Sequence, residues 1–283
     1  MSMTKKIGAI VLAVLFSIAL IIQATTNGLA AVPAKVWILA SGLAVAAVAA
    51  RLRLLWVRSI LLIISIAYFG FYEGSCLCTK GAMQNIFLFS ALGRWAGVAE
   101  AAIQVLLVFL VIYLFGNLFC GWICHKGAVQ EFLFRSGLHV QVPPLIDRWL
   151  QKIKYVLLIL IIFWPLIYRQ KLFLKLDPFK AMFNLGGSTF LLVFGAVVLL
   201  SSLFFFRPFC RYICPFGAAA GIINSLGFFR LKMKPNQTCS GCNLCLSHCP
   251  TAAIRPQCGR EAAVDAANCI ACGECGSACK KMA

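Results

Sequence analysis

Apolar residues gather into long runs at about 7–23, 34–50, 54–72, 99–119, 153–169 and 188–206, separated by shorter polar or basic stretches. Each run approaches the roughly 20 residues that an α-helix needs to cross a bilayer. The run AAIQVLLVFLVIYLFGNLF (101–119) is the strongest. The weakest is 54–72, which carries Arg58 near its start, where an arginine can snorkel to the interface. After Phe206 the chain changes character. From about Phe229 no spanning run remains, and cysteine, glycine and polar residues dominate. The pattern predicts a membrane all-α domain of about six transmembrane helices over 1–228, followed by a small extramembrane domain over 229–283. Lys5 and Lys6 precede the apolar stretch Ile7–Ile22, which is slightly long for the apolar core of a signal peptide, so a retained first helix is expected.

Composition turns this pattern into a class. The chain has 283 residues, of which 62% are hydrophobic and 12% charged, with a mean hydropathy of +0.92. Ordinary soluble domains carry about 25% charged residues, so most of this chain belongs in lipid. The net charge of +18, from 26 Lys+Arg and 8 Asp+Glu, would suggest nucleic acid in a soluble protein. Here the basic residues fall mostly between the apolar runs, where they orient a membrane protein rather than bind a polyanion. With the N-terminus inside, fourteen basic residues fall on the inner face, Lys126, Arg207 and Arg211 among them. Seven fall on the outer face, including Lys80, Lys175 and Lys180. The expected arrangement is a multi-pass protein of the cell's inner membrane with both termini cytoplasmic. Its surroundings would be membrane lipid, not nucleic acid.

The fifteen cysteines carry the chemistry. Cys239-x2-Cys242-x2-Cys245-x3-Cys249-Pro250 and Cys269-x2-Cys272-x2-Cys275-x3-Cys279 repeat one spacing. Short C-x2-C turns bring three thiolates to three corners of a cubane, and the fourth cysteine of each run crosses to the other cluster. The reading assigns Cys239, Cys242, Cys245 and Cys279 to one [4Fe-4S] cluster, and Cys269, Cys272, Cys275 and Cys249 to a second. Gly241 and Gly273 fit the tight turns whose backbone N–H groups can reach sulfur. Zinc knuckles would need only C-x2-C pairs, so the doubled x2-x2-x3 spacing favours clusters. This domain is expected to be α+β and like the bacterial two-cluster ferredoxins, with its clusters within electron-tunnelling reach of each other. Lys280 stands where the second run could have had proline, and Cys258 belongs to neither run.

A second set of cysteines lies at the ends of spanning runs. Cys120-Gly-Trp-Ile-Cys124-His-Lys-Gly-Ala follows one run and Cys210-Arg-Tyr-Ile-Cys214-Pro-Phe-Gly-Ala follows another. On a helix, cysteines at i and i+4 share one face, so two such pairs could offer four thiolates. Three readings stand: a bound cluster or metal at Cys120, Cys124, Cys210 and Cys214, a redox dithiol, or packing of helix ends. A partial third copy, Cys78-Thr-Lys80-Gly-Ala-Met-Gln84, matches Cys124-His-Lys126-Gly-Ala-Val-Gln130. Its upstream cysteine is Cys76, and this copy falls on the opposite face unless 82–98 is re-entrant.

The spans, the twin motifs FCGWIC and FCRYICPFGA and the two-cluster tail together resemble the NapH-like membrane polyferredoxins, relatives of the NosR-type and MauN membrane iron–sulfur proteins. The resemblance covers roughly residues 100–283. It implies an integral-membrane electron-transfer subunit of an oxidoreductase complex, relaying electrons between the quinone pool or cytoplasmic donors and a partner redox protein. His125 departs from the proline that the family has after the first motif, and the Cys76/Cys78 copy lies outside the usual pattern. An alternative role is redox sensing, or maturation of a partner metalloenzyme through the C-x3-C thiols. For quinol oxidation, Trp122, Tyr212 and His125 are candidates to line an interfacial pocket, although each is equally an ordinary interfacial residue. Acidic residues inside the spans are nearly absent, with Glu100 at a helix edge, which weighs against a proton pump. A b-type cytochrome needs paired histidines within helices, and His125, His139 and His248 all lie outside the runs. No P-loop or Gly-rich nucleotide loop occurs.

Overall fold

The computed structural model describes residues 34–74, 79–138, 140, 142–171, 177–184, 186–227, 244–257 and 260–278. The run at 7–23 lies outside them, as do Cys76, Cys78, His139, Cys239, Gly241, Cys242, Cys258, Cys279 and Lys280.

The described residues are mostly helical. In chain order they form α1 (Ala34–Arg51), α2 (Leu55–Ser65, continued by the π-helical Ile66–Tyr72), α3 (Thr79–Ala91) and α4 (Trp95–Phe115). A π-helical turn, Phe119–Ile123, leads into α5 (His125–Leu133). Then come α6 (Pro144–Tyr168), α7 (Pro178–Phe183) and α8 (Thr189–Phe204). A second π-helical turn, Phe209–Ile213, leads into α9 (Pro215–Leu226). The C-terminal part holds the short helix α10 (Leu244–Ser247), strands β1 (Ile254–Gln257) and β2 (Arg260–Val264), and α11 (Glu274–Ala278).

Among the described residues, three helices are long and apolar enough to cross a membrane: Leu55–Tyr72, Trp95–Phe115 and Leu145–Tyr168, with mean hydropathies of 1.7, 2.4 and 1.9. Only 17–33% of each is buried inside the protein. The exposed faces carry Ile60, Ile63 and Ile64 on α2, Ile103, Leu106 and Leu110 on α4, and Val156, Ile159 and Phe163 on α6. A helix that is apolar on both faces is stable only when its outer face meets lipid. Val36–Arg51 and Thr189–Phe204 are shorter apolar helices. Their sixteen residues each reach about 24 Å at 1.5 Å per residue, less than the hydrocarbon core.

The chain divides into two compact units. One draws its described residues from 1–61, 109–123 and 220–283, the other from 62–108 and 124–219. In the first unit, α1 buries Leu39, Leu43, Ala46 and Ala49, a helical spacing, and packs on the first π turn. In the same unit β1 pairs antiparallel with β2, setting Ile254 opposite Val264. The Asp265 N–H donates to the Ala253 carbonyl at 2.7 Å, closing the base of this hairpin. In the second unit α3 packs against α6, α5 against the π-helical end of α2, and α7 against α8. Phe179, Val198 and Phe209 form a buried core there, with the rings of Phe179 and Phe209 5.1 Å apart and edge-on.

Arg58 does not snorkel. It is 5% exposed, and its Nε donates to the Gly121 carbonyl at 3.0 Å. The assignment of Lys80 and Lys126 to opposite faces also does not hold, because both pair with Asp177. Both are buried against one shared carboxylate, so neither behaves as a loop cation whose placement reports sidedness.

Candidate functional site

The C-terminal hairpin fixes the first element of the site. By joining Ala253 to Asp265 it returns the chain so that Cys249 and Cys269, twenty positions apart, reach one place. Cys249, Cys269, Cys272 and Cys275 all line a single cavity of about 320 Å³. Its other walls include Ala50, Leu55, Trp122 and Ile254, which are apolar. Each of the four sulfurs has a backbone N–H donor close by. Ala253 N–H donates to Cys249 Sγ at 3.3 Å. Ala271, Glu274 and Gly276 N–H groups donate to Cys269, Cys272 and Cys275. Left-handed backbone turns these amides toward sulfur: φ is 49° at Ala252, 52° at Ala271 and 87° at Gly273. Non-glycine residues pay for such angles, and they cluster where a site holds them. The sequence expectation for Gly273 is met by its backbone.

Burial pushes the Cys269 thiol up to about 11 and the Cys275 thiol up to about 12, against the pull of those amides. Among the described residues, no three His, Cys, Asp or Glu side chains are arranged to hold a single metal ion. A cubane differs in that its cysteines approach four separate irons, so its ligands stand around a void. The four cysteines fit that group. Of the other predicted set, only Cys245 is described; it sits half-buried on α10.

The C-x3-C motifs take one local conformation. In each, the residues from Phe119 or Phe209 to Ile123 or Ile213 form a π-helical turn. The second cysteine then leaves in an extended conformation, with ψ 105° at Cys124 and ψ 112° at Cys214. π turns recur at functional sites because the extra residue re-aims side chains. In the second unit Cys124 shares a hydrogen bond with Cys210, which holds the Cys124 thiol low against burial and the Cys210 thiol high. Gln130 Nε2 donates to Cys210 Sγ at 3.3 Å, and Gln130 Oε1 accepts from Phe209 N–H at 2.9 Å. Arg207, in left-handed backbone at φ 49°, is buried beside these sulfurs and paired with Glu131.

Behind Cys124 lies an ion cluster that the sequence reading missed. Asp177 Oδ1 caps α7 by accepting Phe179 N–H at 3.2 Å. Asp177 Oδ2 takes Lys126 and, at 2.8 Å, Lys80. All three are buried. The lysines are the equivalent residues of the two K-G-A-x-Q copies, so the repeat converges on one carboxylate. A signal for Asp177 existed: Asp177-Pro-Phe-Lys-Ala parallels Cys214-Pro-Phe-Gly-Ala, in a chain with only 8 acidic residues. Burial, with Lys126 alongside, lowers the neighbouring His125 to about 3, so it is neutral. The candidate quinol-pocket residues are otherwise engaged. His125 packs edge-on against Phe183, Tyr212 donates to Asp147 at 2.8 Å, and Trp122 Nε1 donates to the Ala271 carbonyl at 2.9 Å.

Comparison with known proteins completes the picture. The family described as "4Fe-4S binding domain" matches residues 99–153 and 188–235, the segments that hold both C-x3-C motifs. An uncharacterised protein of Methanocaldococcus jannaschii is 31% identical over 225 residues, 76% of this chain and 88% of that relative. The ferredoxin-type protein NapH of Haemophilus influenzae is 28% identical over 227 residues, 74% of this chain and 77% of NapH. The chain belongs to the NapH-like family of membrane ferredoxin-type proteins. It is also 26% identical over 224 residues to the regulatory protein NosR of Pseudomonas aeruginosa, covering 75% of this chain but 31% of NosR. No solved structure matches it.

Proposed function

We propose that this protein is an integral-membrane iron–sulfur subunit that relays single electrons between the quinone pool or cytoplasmic donors and a partner redox protein of the same complex. The observation that carries this reading is the convergence of Cys249, Cys269, Cys272 and Cys275 on one cavity, each sulfur with a backbone donor. That set is the one the crossed two-cluster spacing requires. The hairpin and short helices around it fit a bacterial two-cluster ferredoxin domain, with the other cluster on Cys239, Cys242, Cys245 and Cys279. A third cluster or metal at Cys120, Cys124, Cys210 and Cys214 is supported by the matched conformation of the two motifs and by the span of the 4Fe-4S family match.

When bound, the clusters supply one-electron chemistry. The chain's own residues hold the thiolates, donate hydrogen bonds that stabilise their charge, and exclude water with apolar walls. Six spans with both termini in the cytoplasm would set the ferredoxin domain against cytoplasmic donors, with Cys76 and Cys78 as a further redox site.

Iron and acid-labile sulfide counts with EPR on the detergent-purified protein test the reading. About eight irons per chain mean two clusters and about twelve mean three. A Cys210→Ser variant that drops from about twelve to about eight assigns the third. Protein prepared anaerobically and reconstituted, yet free of iron and sulfide, overturns the proposal.

A further inference from the structure

Arg58 lies in the first turn of α2, an otherwise apolar helix, and intramembrane cations of this kind are rare and tied to function. Its guanidinium is held by two segments that both carry cysteines. Nε donates to the carbonyl of Gly121, the residue after Cys120, at 3.0 Å. Nη1 lies 3.8 Å from Oε1 of Glu274, which sits between Cys272 and Cys275. Trp122 makes a parallel link. Its ring is 1% exposed, and Nε1 donates to the carbonyl of Ala271, between Cys269 and Cys272. Gly121 permits this approach, since a Cβ there would overlap the Ile270 carbonyl oxygen. All of these residues belong to one compact unit.

We propose that Arg58 is a positioning residue that raises the reduction potential of the cluster held by Cys249, Cys269, Cys272 and Cys275, while Trp122 holds the 269–275 loop against it. The inference rests on reading those four cysteines as one ligand set. Reduction adds one electron to the cluster, moves no proton and breaks no bond. A fixed positive charge beside the cluster stabilises the reduced form, which carries one more negative charge, and burial preserves the field. Arginine keeps its charge throughout the working pH range, so the effect is constant. Glu274 opposes it more weakly, because its side chain is 41% exposed and screened.

Potentiometric EPR titration of the full-length protein, with iron and sulfide counted in each sample, tests this. The signal to follow is the one that Cys272→Ser removes. Arg58→Gln is expected to move that signal to lower potential at unchanged iron content and to leave the remaining signals in place. Arg58→Lys restores most of the shift. Glu274→Gln moves the same signal upward by a smaller amount. Unchanged potentials in fully loaded Arg58→Gln overturn the proposal, as do equal shifts in Arg58→Gln and Arg58→Lys. If Arg58→Gln loses iron, reconstituted Arg58→Met decides: a downward shift at full iron content supports the proposal and an unchanged potential overturns it. A wild-type protein with no cluster removable by Cys272→Ser overturns the ligand set itself.

Discussion

Asp177→Asn removes the one carboxylate that two buried lysines share. At 2.8 Å and an effective dielectric of about 20, the Lys80–Asp177 attraction is about 6 kcal/mol, before the desolvation of both ions is subtracted. Breaking a buried pair by deleting one partner costs about 3–5 kcal/mol, because the remaining charge is left without compensation. The cluster of Lys80, Lys126 and Asp177 carries a formal charge of +1, and the asparagine variant raises it to +2. Lys80→Met lowers it to zero and leaves the Lys126–Asp177 pair intact. The ranking is therefore the test: Asp177→Asn must cost more than Lys80→Met. At roughly 2–4 °C per kcal/mol for a chain of this size, Asp177→Asn should lower the unfolding midpoint by roughly 6–20 °C. Tryptophan fluorescence on heating the detergent-solubilised protein reads it. Adding Lys80→Met to Asp177→Asn should recover part of the loss, since one uncompensated charge is removed. An Asp177→Asn protein as stable as wild type, or less affected than Lys80→Met, would refute the reasoning.

Further predictions follow from the same contacts. Burial alone would raise the Asp177 carboxyl, but Lys126 and Lys80 outweigh it and hold it below its ordinary value of 3.8. Its stabilisation is therefore present above that value and lost as pH falls through the folded one. The difference in unfolding midpoint between wild type and Asp177→Asn should be constant from pH 7 to about 4 and shrink below. Gly121→Ala forces apart the first C-x3-C turn and the Ile270 carbonyl. It should cost about 1–3 kcal/mol and reduce iron by up to one cluster's content, with iron per chain and the midpoint as readouts. Gln130→Leu leaves the buried Phe209 N–H without its acceptor and should cost about 1–3 kcal/mol in the same unfolding assay.

What the sequence makes legible about the site is local. Ligand spacing in a C-x2-C-x2-C run is set by the reach of a short turn, and the conformation at Gly273 follows from that turn. Three of the six expected spans, at Leu55–Tyr72, Trp95–Phe115 and Leu145–Tyr168, were legible because hydropathy is a local sum, but their ends were not. The run predicted at 99–119 folds as a helix over 95–115, because Gly116 adopts φ 88° and closes it. The helix expected from 153 begins at Pro144, since a proline in the first turn and Asp147, engaged by Arg211 and Tyr212, tolerate polar residues there.

By itself the sequence determined that this is a membrane protein with cysteine sets spaced for iron, because apolar length and ligand spacing act over a few residues. Only the tertiary structure decided which charges meet. Lys80, Lys126 and Asp177 are separated by up to 97 positions, and Arg58 reaches Gly121 across 63. The physical reason is that a cation's role depends on its surroundings. In water Lys80, Lys126 and Arg58 would be solubilising or orienting charges. Folded against a carboxylate, a carbonyl and a loop of cysteines, they become fixed elements of the interior.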